Sequence, residues 1–375
     1  MTIGIDIRVL ARGTRTGVEE YTLNLLKHLL PLEPKVNFKL FNNAYRKANL
    51  DYPWLDSKNV QLKDFRIPNR FLFVSARYFN QPKINRLLGG IDVYFNPHFF
   101  VAPLSAGCRK VITFHDLSFE RCPHFFSWRK RGWQRFLMAA QREANQADQI
   151  IAVSQSTKED LVNLYQIEPE KIKVVYSGIG KQFKLVKDSQ LTSIKKKYHL
   201  PNKFILYFGT IEPRKNLIGL IKAFELLRRK EPIKLVMAGA KGWLYQDIFR
   251  AANQSKFAQD IIFTGFVEEA DKPYLYNLAE LFVYPSFFEG FGFPPLEAMA
   301  CGRPTVVSDT SSLPEAVGQG ALMVNPYRID ELAWAMEAVL TYSNLREQLV
   351  EKGIKQAKKF SWSSCARQTL GILTR

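Results

Sequence analysis

Two carboxylates stand close together in the stretch FFEGFGFPPLEAMACGRPTVVS, which runs from position 287 to 308. Glu289 and Glu297 are separated by seven residues, and the glycines and prolines between them predict a turn that enters a helix. A helix start presents unpaired backbone N–H groups and the positive end of the helix dipole, which favours a bound phosphate. Carboxylates beside it could hold sugar hydroxyls, although paired glutamates could instead hydrolyse a glycosidic bond.

Other polar residues follow predicted strands elsewhere in the chain. Arg214 and Lys215 lie in GTIEPRKNL, after a predicted strand at 204–208, and two cations there could neutralise a pyrophosphate. His115 and Asp116 follow a predicted strand at 111–114, at a carboxyl end where ligands of α/β sheets bind. Taken singly, an Arg–Lys pair is commonly solvated and a lone histidine commonly structural. Together with the helix start, these groups favour a nucleotide-sugar pocket, since a hydrolase has no use for a pyrophosphate site.

A second glycine loop, GTRTG from position 13 to Gly17, follows the first predicted strand and opens the first predicted helix. Such glycines also form ordinary tight turns. The loop matches neither GxGxxG nor GxxxxGK[ST], so dinucleotide binding and P-loop ATPase chemistry lack their signatures.

Strands and helices alternate through both halves of the sequence, which predicts parallel sheets covered on both faces. In the first half we expect strands at 3–10, 91–95, 110–114, 149–153 and 172–176, and helices at 18–30, 128–146 and 156–165. The segment 45–88, with arginines among aromatic residues, is predicted as an excursion from the sheet. In the second half we expect strands at 204–208, 233–238, 261–264, 281–284 and 304–308, and helices at 216–229, 243–253, 271–278, 313–317, 328–341, 344–359 and 361–375. Ser312 and Glu315 fit a capping box.

Length and charge limit the possible classes of protein. A chain of 375 residues exceeds the size at which single cores stop growing, so two domains are expected. The net charge is +18, and residues 1–184 carry 28 Lys and Arg against 16 Asp and Glu. This asymmetry favours a polyanionic partner: nucleic acid, an anionic membrane surface or a phosphorylated substrate.

The four cysteines are scattered without metal-site spacing, which is typical of reduced thiols in a cytoplasmic protein. The chain opens with a predicted strand, so we expect no signal peptide. No apolar run approaches the roughly 20 residues of a membrane span, so any membrane contact would be at the surface.

FEGFGFPPLEAMACGRPTVVS resembles the E-x7-E segment of the retaining glycosyltransferases of family 4, and GTIEPRKNL, MAGAKGW and FTGFV are similar to segments of their mannosyltransferase-like branch. IGIDIRVL, TGVEEYTLNLL, FHDLSFERCP, IIAVSQSTKEDL and SSLPEAVG extend the similarity over most of the chain. The resemblance implies the GT-B fold, with two Rossmann-like, doubly wound sheets facing across a cleft. Residues 1–180 would form the acceptor-side domain and 181–359 the donor-binding domain, with a last helix at 360–375 returning to the first.

The resemblance also implies a role for each matching residue. Glu297 would hold the donor ribose, and Glu289 the hydroxyls of the donor sugar. Lys215 and Arg214 would stabilise the departing diphosphate, and His115 would lie beside the transferred sugar. The remaining donor contacts would come from both glycine loops, the loop after the strand at 204–208 and a base-binding segment: Gly290, Phe291, Gly292, Phe293, Gly17, Thr210, Phe266 and Val267.

Two positions depart from the family pattern. Thr210 stands where many members have an arginine, so Arg214 must compensate or the phosphates are held less firmly. Ser177 replaces an asparagine that is common before the glycine ending the first domain.

The expected activity is transfer of a hexose, with retention, from a nucleoside diphosphate sugar to a glycan or lipid-linked acceptor in cell-surface polysaccharide or glycolipid synthesis. GDP-mannose is the expected donor and a UDP-sugar the alternative, with neither cofactor nor metal. We expect a cytoplasmic protein that could bind the inner face of a membrane peripherally. Two rival activities are nucleic-acid binding, suggested by charge alone, and a sugar phosphorylase or hydrolase, which would turn over without nucleotide.

Overall fold

The computed structural model describes residues 1–12, 17–45, 50–186 and 190–375. The chain divides into two compact units. Unit 1 comprises Met1–Arg121, Trp128–Gly178 and Ser361–Arg375, and unit 2 comprises Cys122–Ser127 and Ile179–Phe360. The short segment Cys122–Ser127 thus belongs to unit 2, although the residues on both sides of it belong to unit 1.

Within the described part of unit 1, seven parallel strands form one sheet in the order β3-β2-β1-β4-β5-β6-β7. They are β1 (Thr2–Asp6), β2 (Asn37–Asn43), β3 (Val60–Phe65), β4 (Val93–Asn96), β5 (Arg109–Phe114), β6 (Gln149–Ala152) and β7 (Ile172–Val174). The strand order reverses between β1 and β4, which is where ligands bind in open α/β sheets.

The helices of unit 1 cover its sheet, and the last one packs against the first. They are α1 (Gly17–Leu29), α2 (Asn69–Val74), α3 (Ile84–Leu87), α4 (Ser118–Arg121), α5 (Trp128–Gly132), α6 (Ala140–Gln146), α7 (Gln155–Tyr165) and, from the end of the chain, α16 (Trp362–Leu373). Arg109 of β5 donates a hydrogen bond to the carbonyl of Ile372 at 2.9 Å, and the rings of Tyr21 and Trp362 meet edge to face. These contacts fix α16 within unit 1.

Unit 2 repeats the architecture: six parallel strands, counted over its described residues, run in the order β10-β9-β8-β11-β12-β13. They are β8 (Phe204–Phe208), β9 (Lys234–Ala238), β10 (Ile261–Gly265), β11 (Leu281–Tyr284), β12 (Thr305–Ser308) and β13 (Leu322–Val324). Every residue of β8, β11 and β12 is buried, as expected for central strands covered on both faces. The order reverses between β8 and β11, so the loops after these two strands lie side by side.

Along the chain, the helices of unit 2 precede, connect or follow its strands. They are α8 (Gln190–Lys197), α9 (Leu217–Arg228), α10 (Gln246–Gln254), α11 (Lys272–Leu278), α12 (Phe293–Ala300), α13 (Leu313–Val317), α14 (Ile329–Thr341) and α15 (Ser343–Ala357). None of the helices within the described ranges has the length and apolar character needed to cross a bilayer.

The prediction of two doubly wound parallel sheets is confirmed, but several elements differ. The strand predicted at 3–10 ends at Asp6, because its carboxylate accepts the backbone N–H and guanidinium of Arg8 and the chain turns into a short 3-10 helix. The helix predicted at 128–146 is interrupted at Ala139, which has a left-handed backbone with φ of 49°. The segment 45–88 is not an excursion from the sheet, since it contributes the edge strand β3.

Candidate active site

The loop after β11 and the start of α12 place both glutamates of the E-x7-E segment. Gly292 has a φ of 102°, which an L-residue with a side chain rarely adopts, and it turns the chain into α12. Two prolines occupy the first turn of the helix, where a missing N–H costs nothing. Glu289 and Glu297 are each 7% exposed, so neither is a solvated surface residue.

Glu289 is held by two cations from the loop after β8. Its Oε1 lies 2.5 Å from the Lys215 ammonium, and its Oε2 lies 3.2 Å from the Arg214 guanidinium. Lys215 also donates to the Tyr284 hydroxyl at 2.8 Å. An ammonium has three N–H donors. Among the described residues, Glu289 and Tyr284 take two of them, which leaves one for a ligand.

The charges of this cluster set its protonation states. Burial alone would raise the pKa of Glu289, but the charges of Lys215 and Arg214 overcome it and lower the pKa to about 2. Burial lowers the pKa of Lys215, as does the charge of Arg214, while Glu289 acts in the opposite direction. Glu289 is therefore an ionised carboxylate at neutral pH, able to accept hydrogen bonds but unable to act as a general acid.

Arg214 is fixed by three protein groups. It donates to the Glu212 carboxylate at 2.9 and 3.2 Å, to the carbonyl of Phe288 at 2.6 Å and to Glu289. Thr210, at the position where the family commonly has arginine, is exposed, and its carbonyl accepts the Tyr207 hydroxyl at 3.0 Å. Arg214 thus stands beside the carboxylate and holds it in place.

The backbone of Glu289 is fixed from the loop after β12. Its N–H donates to the hydroxyl of Ser311 at 2.8 Å, and its carbonyl accepts the hydroxyl of Ser312 at 3.0 Å. The predicted capping box at Ser312 and Glu315 is therefore wrong: Ser312 has helical backbone angles and makes no side-chain cap on α13. The Ser312 hydroxyl donates to the Glu289 carbonyl, and its oxygen accepts no N–H from α13 because the helical backbone angles of Ser312 are not those of an N-cap.

Glu297 is held in a different environment, on the buried side of α12. Its Oε2 accepts the hydroxyl of Tyr276, from α11, at 2.8 Å. The Tyr276 ring packs against Phe208 and Phe282, which belong to β8 and β11. A single tyrosine thus connects this carboxylate to the centre of the sheet.

The other predicted donor contacts of unit 2 lie on loops at the carboxyl ends of its strands. Phe266 is exposed and Val267 buried, directly after β10. Gly290 is half-buried, and Phe291 and Phe293 meet edge to face at 5.2 Å.

Two predicted residues lie in unit 1. His115 follows β5, and its Nε2–H donates to the carbonyl of Pro97 at 2.8 Å, which leaves Nδ1 as the acceptor of a neutral ring. Burial lowers the pKa of His115, with the hydrogen bond to Pro97 acting against it, so the neutral form is favoured. Gly17 is the first residue of α1, and a Cβ built there would have no atom of the described residues within 4 Å. The rest of its loop, positions 13–16, lies outside the described residues.

Sequence reasoning missed Tyr276, Tyr284, Glu212 and Ser311, whose side chains contact the site residues directly. Tyrosines in buried strands and helices look like core residues, and only their hydroxyl contacts distinguish them. Asp116, singled out with His115, accepts the N–H and hydroxyl of Ser118 at the start of α4. In the described part of the chain, no three His, Cys, Asp or Glu side chains are grouped as a metal site would require.

Comparison with known proteins finds relatives over nearly the whole chain. Family models match both halves: Glycosyltransferase Family 4 over residues 15–182, and Glycosyl transferases group 1 over residues 190–356. The chain is 30% identical to an O-antigen chain mannosyltransferase B of Escherichia coli over 368 residues, covering 95% of each protein.

Two solved structures share the fold over nearly the whole chain. Sucrose-phosphate synthase from Thermosynechococcus elongatus has a TM-score of 0.78 at 18% identity, covering 99% of this chain and 98% of that one. Anabaena HepE in complex with UDP-glucose has a TM-score of 0.74 at 20% identity, covering 100% and 99%.

Proposed function

Because this chain belongs to the group 1, family 4 glycosyltransferases, we propose that it transfers mannose from GDP-mannose, with retention, to a glycan or lipid-linked acceptor. The proposed process is cell-surface polysaccharide or glycolipid synthesis. Relatedness to an O-antigen chain mannosyltransferase over 95% of the chain supports mannose as the sugar and a polysaccharide chain as the acceptor.

The observation that carries the proposal is the environment of Glu289. With a pKa of about 2 and two cations against it, this carboxylate stays ionised at neutral pH. A glycoside hydrolase needs one of its two carboxyls protonated, with a raised pKa, to serve as general acid. Glu289 is unsuited to that role, but it suits the acceptance of hydrogen bonds from sugar hydroxyls.

The proposed roles of Glu289 and Glu297 follow from their different environments. Glu289 holds hydroxyls of the donor sugar, and Glu297, oriented by Tyr276, holds the ribose. Lys215 gives its remaining N–H to the departing diphosphate, whose charge grows as the glycosidic bond breaks. The start of α12, with the backbone N–H groups near Gly292, supports the same phosphates.

Arg214 takes a supporting part in this scheme. Its contacts with Glu212 and Glu289 fix the sugar-binding carboxylate and add positive charge beside Lys215. We propose that it compensates electrostatically for Thr210.

From family membership we further propose that His115 of unit 1 binds the transferred sugar and that Gly17 of unit 1 binds the phosphates. The neutral imidazole of His115 offers an acceptor at Nδ1 for a sugar hydroxyl. The backbone of Phe266 and Val267 is proposed to border the base. Attack on the same face as the departing diphosphate, which would take the acceptor proton, accounts for retention without a protein nucleophile. No metal or cofactor enters this scheme.

The location of the reaction is also a proposal. The basic first half of the chain and the lipid-linked class of acceptor support a cytoplasmic protein that binds the inner face of a membrane peripherally.

A panel of GDP-, UDP- and ADP-sugars tests the donor. GDP-mannose should give the largest thermal stabilisation and the fastest release of nucleoside diphosphate, and the anomeric configuration of the product, read by NMR, should match that of the donor. Glu297→Gln should lose this response. Glu337→Gln, the same change at a half-exposed glutamate of α14 that pairs with Lys230, should keep it.

Faster turnover of a UDP-sugar would overturn the choice of base and sugar. An absence of response to every nucleotide sugar, or turnover without nucleotide, would overturn the proposed function as a whole.

A further inference from the structure

We propose that Tyr284 is a positioning residue for the transfer reaction: its hydroxyl accepts one N–H of the Lys215 ammonium and thereby directs the remaining N–H at the departing diphosphate. The inference deepens the proposed function and rests on it for the presence of a diphosphate. Tyr284 ends β11, one of the central strands of unit 2, and it lies outside the E-x7-E segment.

Tyr284 is a rigid acceptor. Only 2% of its surface is exposed. Its ring stacks on Tyr207 of β8, with 5.7 Å between the ring centres, and on Phe282 of its own strand at 6.0 Å. β11 pairs with β8 and β12, so the backbone that carries the ring is held from both neighbouring strands. A group on such an element keeps its direction better than a group on a loop.

Lys215, by contrast, reaches the site on a flexible four-carbon stem from the loop after β8. Its ammonium donates to Glu289 and, at 2.8 Å, to the Tyr284 hydroxyl. One acceptor alone would let the stem swing about the contact, whereas two acceptors from different segments fix both the position of Nζ and the rotation of the ammonium. Tetrahedral geometry then sets the direction of the third N–H, which is the one left for a ligand among the described residues.

The hydroxyl of Tyr284 contributes as a neutral group. Burial raises the pKa of Tyr284 well above its ordinary value of 10, and the negative charge of Glu289 acts in the same direction. A neutral phenol offers lone pairs to an ammonium without placing a second negative charge beside the diphosphate. The ring makes a separate contribution, since the Lys215 Nζ lies 5.1 Å from its centre, within the range of a cation–π contact.

The other cation beside Glu289 is already paired. Arg214 is held by Glu212 and Glu289, and Thr210 stands where many family members have an arginine. The direction of the third N–H of Lys215 therefore decides whether a hydrogen bond meets the charge that grows on the leaving group. Because this charge is largest in the transition state, a loss of direction should lower kcat more than it weakens donor binding.

The same contact should influence the protonation of Lys215. The charged and titratable groups that face it are Arg214 and Glu212 of its own loop, Glu289 of the loop after β11, and Tyr284 of β11. Burial and the charge of Arg214 lower the pKa of Lys215, whereas both glutamates raise it. The Tyr284 hydroxyl acts with the glutamates, because its lone pair stabilises the ammonium. Removal of this hydroxyl should therefore lower the pKa of Lys215 further.

The test compares Tyr284→Phe, which removes the hydroxyl and keeps the ring, with Tyr165→Phe as the matched control. Tyr165 is a buried tyrosine of α7 whose hydroxyl also contacts a glutamate, Glu120, at 3.1 Å. With the donor selected in the screen, Tyr284→Phe should lower kcat about tenfold and keep the donor KM within about threefold of wild type. The alkaline limb of its kcat profile should move to lower pH. The control should match wild type in all three measurements.

Nuclear magnetic resonance of isotope-labelled lysine ammonium groups tests the contact without any donor. The Lys215 signal is assigned by its absence in Lys215→Met. In Tyr284→Phe this group should titrate at lower pH, and exchange its protons with water faster, than in wild type and in the control. A changed titration without turnover of any nucleotide sugar would overturn the proposed function, and with it the diphosphate. Normal turnover with an unchanged titration and an unchanged kcat would overturn the role of Tyr284 alone.

The inference also falls if Tyr284→Phe raises the donor KM and leaves kcat unchanged, or if it lowers only the thermal midpoint, as a purely structural residue would. Should Tyr284→Phe fail to fold, a ring-fluorinated tyrosine at position 284 keeps the hydroxyl but weakens it as an acceptor. Lys215 should then titrate at lower pH than in wild type, and an unchanged titration would overturn the inference.

Discussion

Glu289→Gln is the substitution whose effect follows most directly from the structure. The pKa of this carboxyl falls from 4.5 to about 2 in the folded protein, because the charges of Lys215 and Arg214 outweigh burial. A difference of about 2.5 pKa units corresponds to about 3 kcal/mol of unfolding free energy. Its side chain is only 9% exposed, so solvent screens little of this energy.

The sign of the pH dependence follows from the lowered pKa. The stabilisation is fully present above pH 4.5 and is lost as the pH falls toward 2, because the carboxyl then becomes protonated. Glutamine cannot titrate. The free-energy gap between wild type and Glu289→Gln should therefore shrink from about 3 kcal/mol at pH 7 to roughly half of that at pH 3.

Hydrogen exchange of peptides from β8 and β11 reports the unfolding free energy of unit 2 alone at neutral pH, and urea unfolding at pH 7 and pH 3 follows its pH dependence. Replacing Lys215 by Met in the same chain should recover part of the loss, since removing both partners leaves no unpaired buried charge. Glu337→Gln should change stability by less than about 0.5 kcal/mol, as expected for a surface pair. A gap below about 1 kcal/mol at pH 7, or one independent of pH, would refute the account of this cluster.

Three further substitutions test other residues of the candidate site. Tyr276→Phe removes the hydroxyl that orients Glu297, and it should raise the donor KM about tenfold with little change in kcat. A fall in kcat alone, measured by steady-state kinetics, would count against the role of Tyr276 in orienting Glu297. In Gly17→Ala the added Cβ meets no atom of the described residues within 4 Å, so the thermal midpoint should stay unchanged. The donor KM should rise at least about tenfold if the phosphates approach this helix start, and an unchanged KM would remove Gly17 from the site. In Gly292→Ala the alanine must adopt a φ of 102°, and its Cβ would lie 2.9 Å from the Leu313 side chain. The unfolding free energy of unit 2 in urea should therefore fall by about 1–3 kcal/mol, and an unaltered midpoint would contradict this strain.

Elements with continuous apolar runs could be predicted from the sequence. β11 occupies the predicted residues 281–284, and β8 the predicted 204–208, because central parallel strands are apolar on both faces. The edge strand β3 was missed because VQLKDF has three polar residues and lacks the continuous apolar run of the central strands. Its place in the sheet depends on pairing with β2, which no local pattern records.

In the candidate site, too, a local pattern identifies the residues, whereas the contacts between residues far apart in the sequence could not be predicted. The E-x7-E spacing identifies both carboxylates, and both are buried in the structure. The contact between Glu289 and Lys215 joins residues 74 positions apart, and that between Glu297 and Tyr276 depends on how α11 packs on the sheet. Ser312 shows the converse, since a local cap was expected but Ser312 has helical backbone angles, and its hydroxyl donates to the Glu289 carbonyl.

Ribose recognition by Glu297 is the central claim that a single binding measurement can test most directly. Titration calorimetry would compare the nucleoside diphosphate selected by the donor screen with its 2′-deoxy analogue, on wild type and on Glu297→Gln. Wild type should bind the ribose form at least about tenfold more tightly, since a hydrogen bond to a charged group is worth about 1.5–3 kcal/mol, and Glu297→Gln should lose most of this preference. The same preference in both proteins, or none in wild type, would contradict the assignment of the donor site.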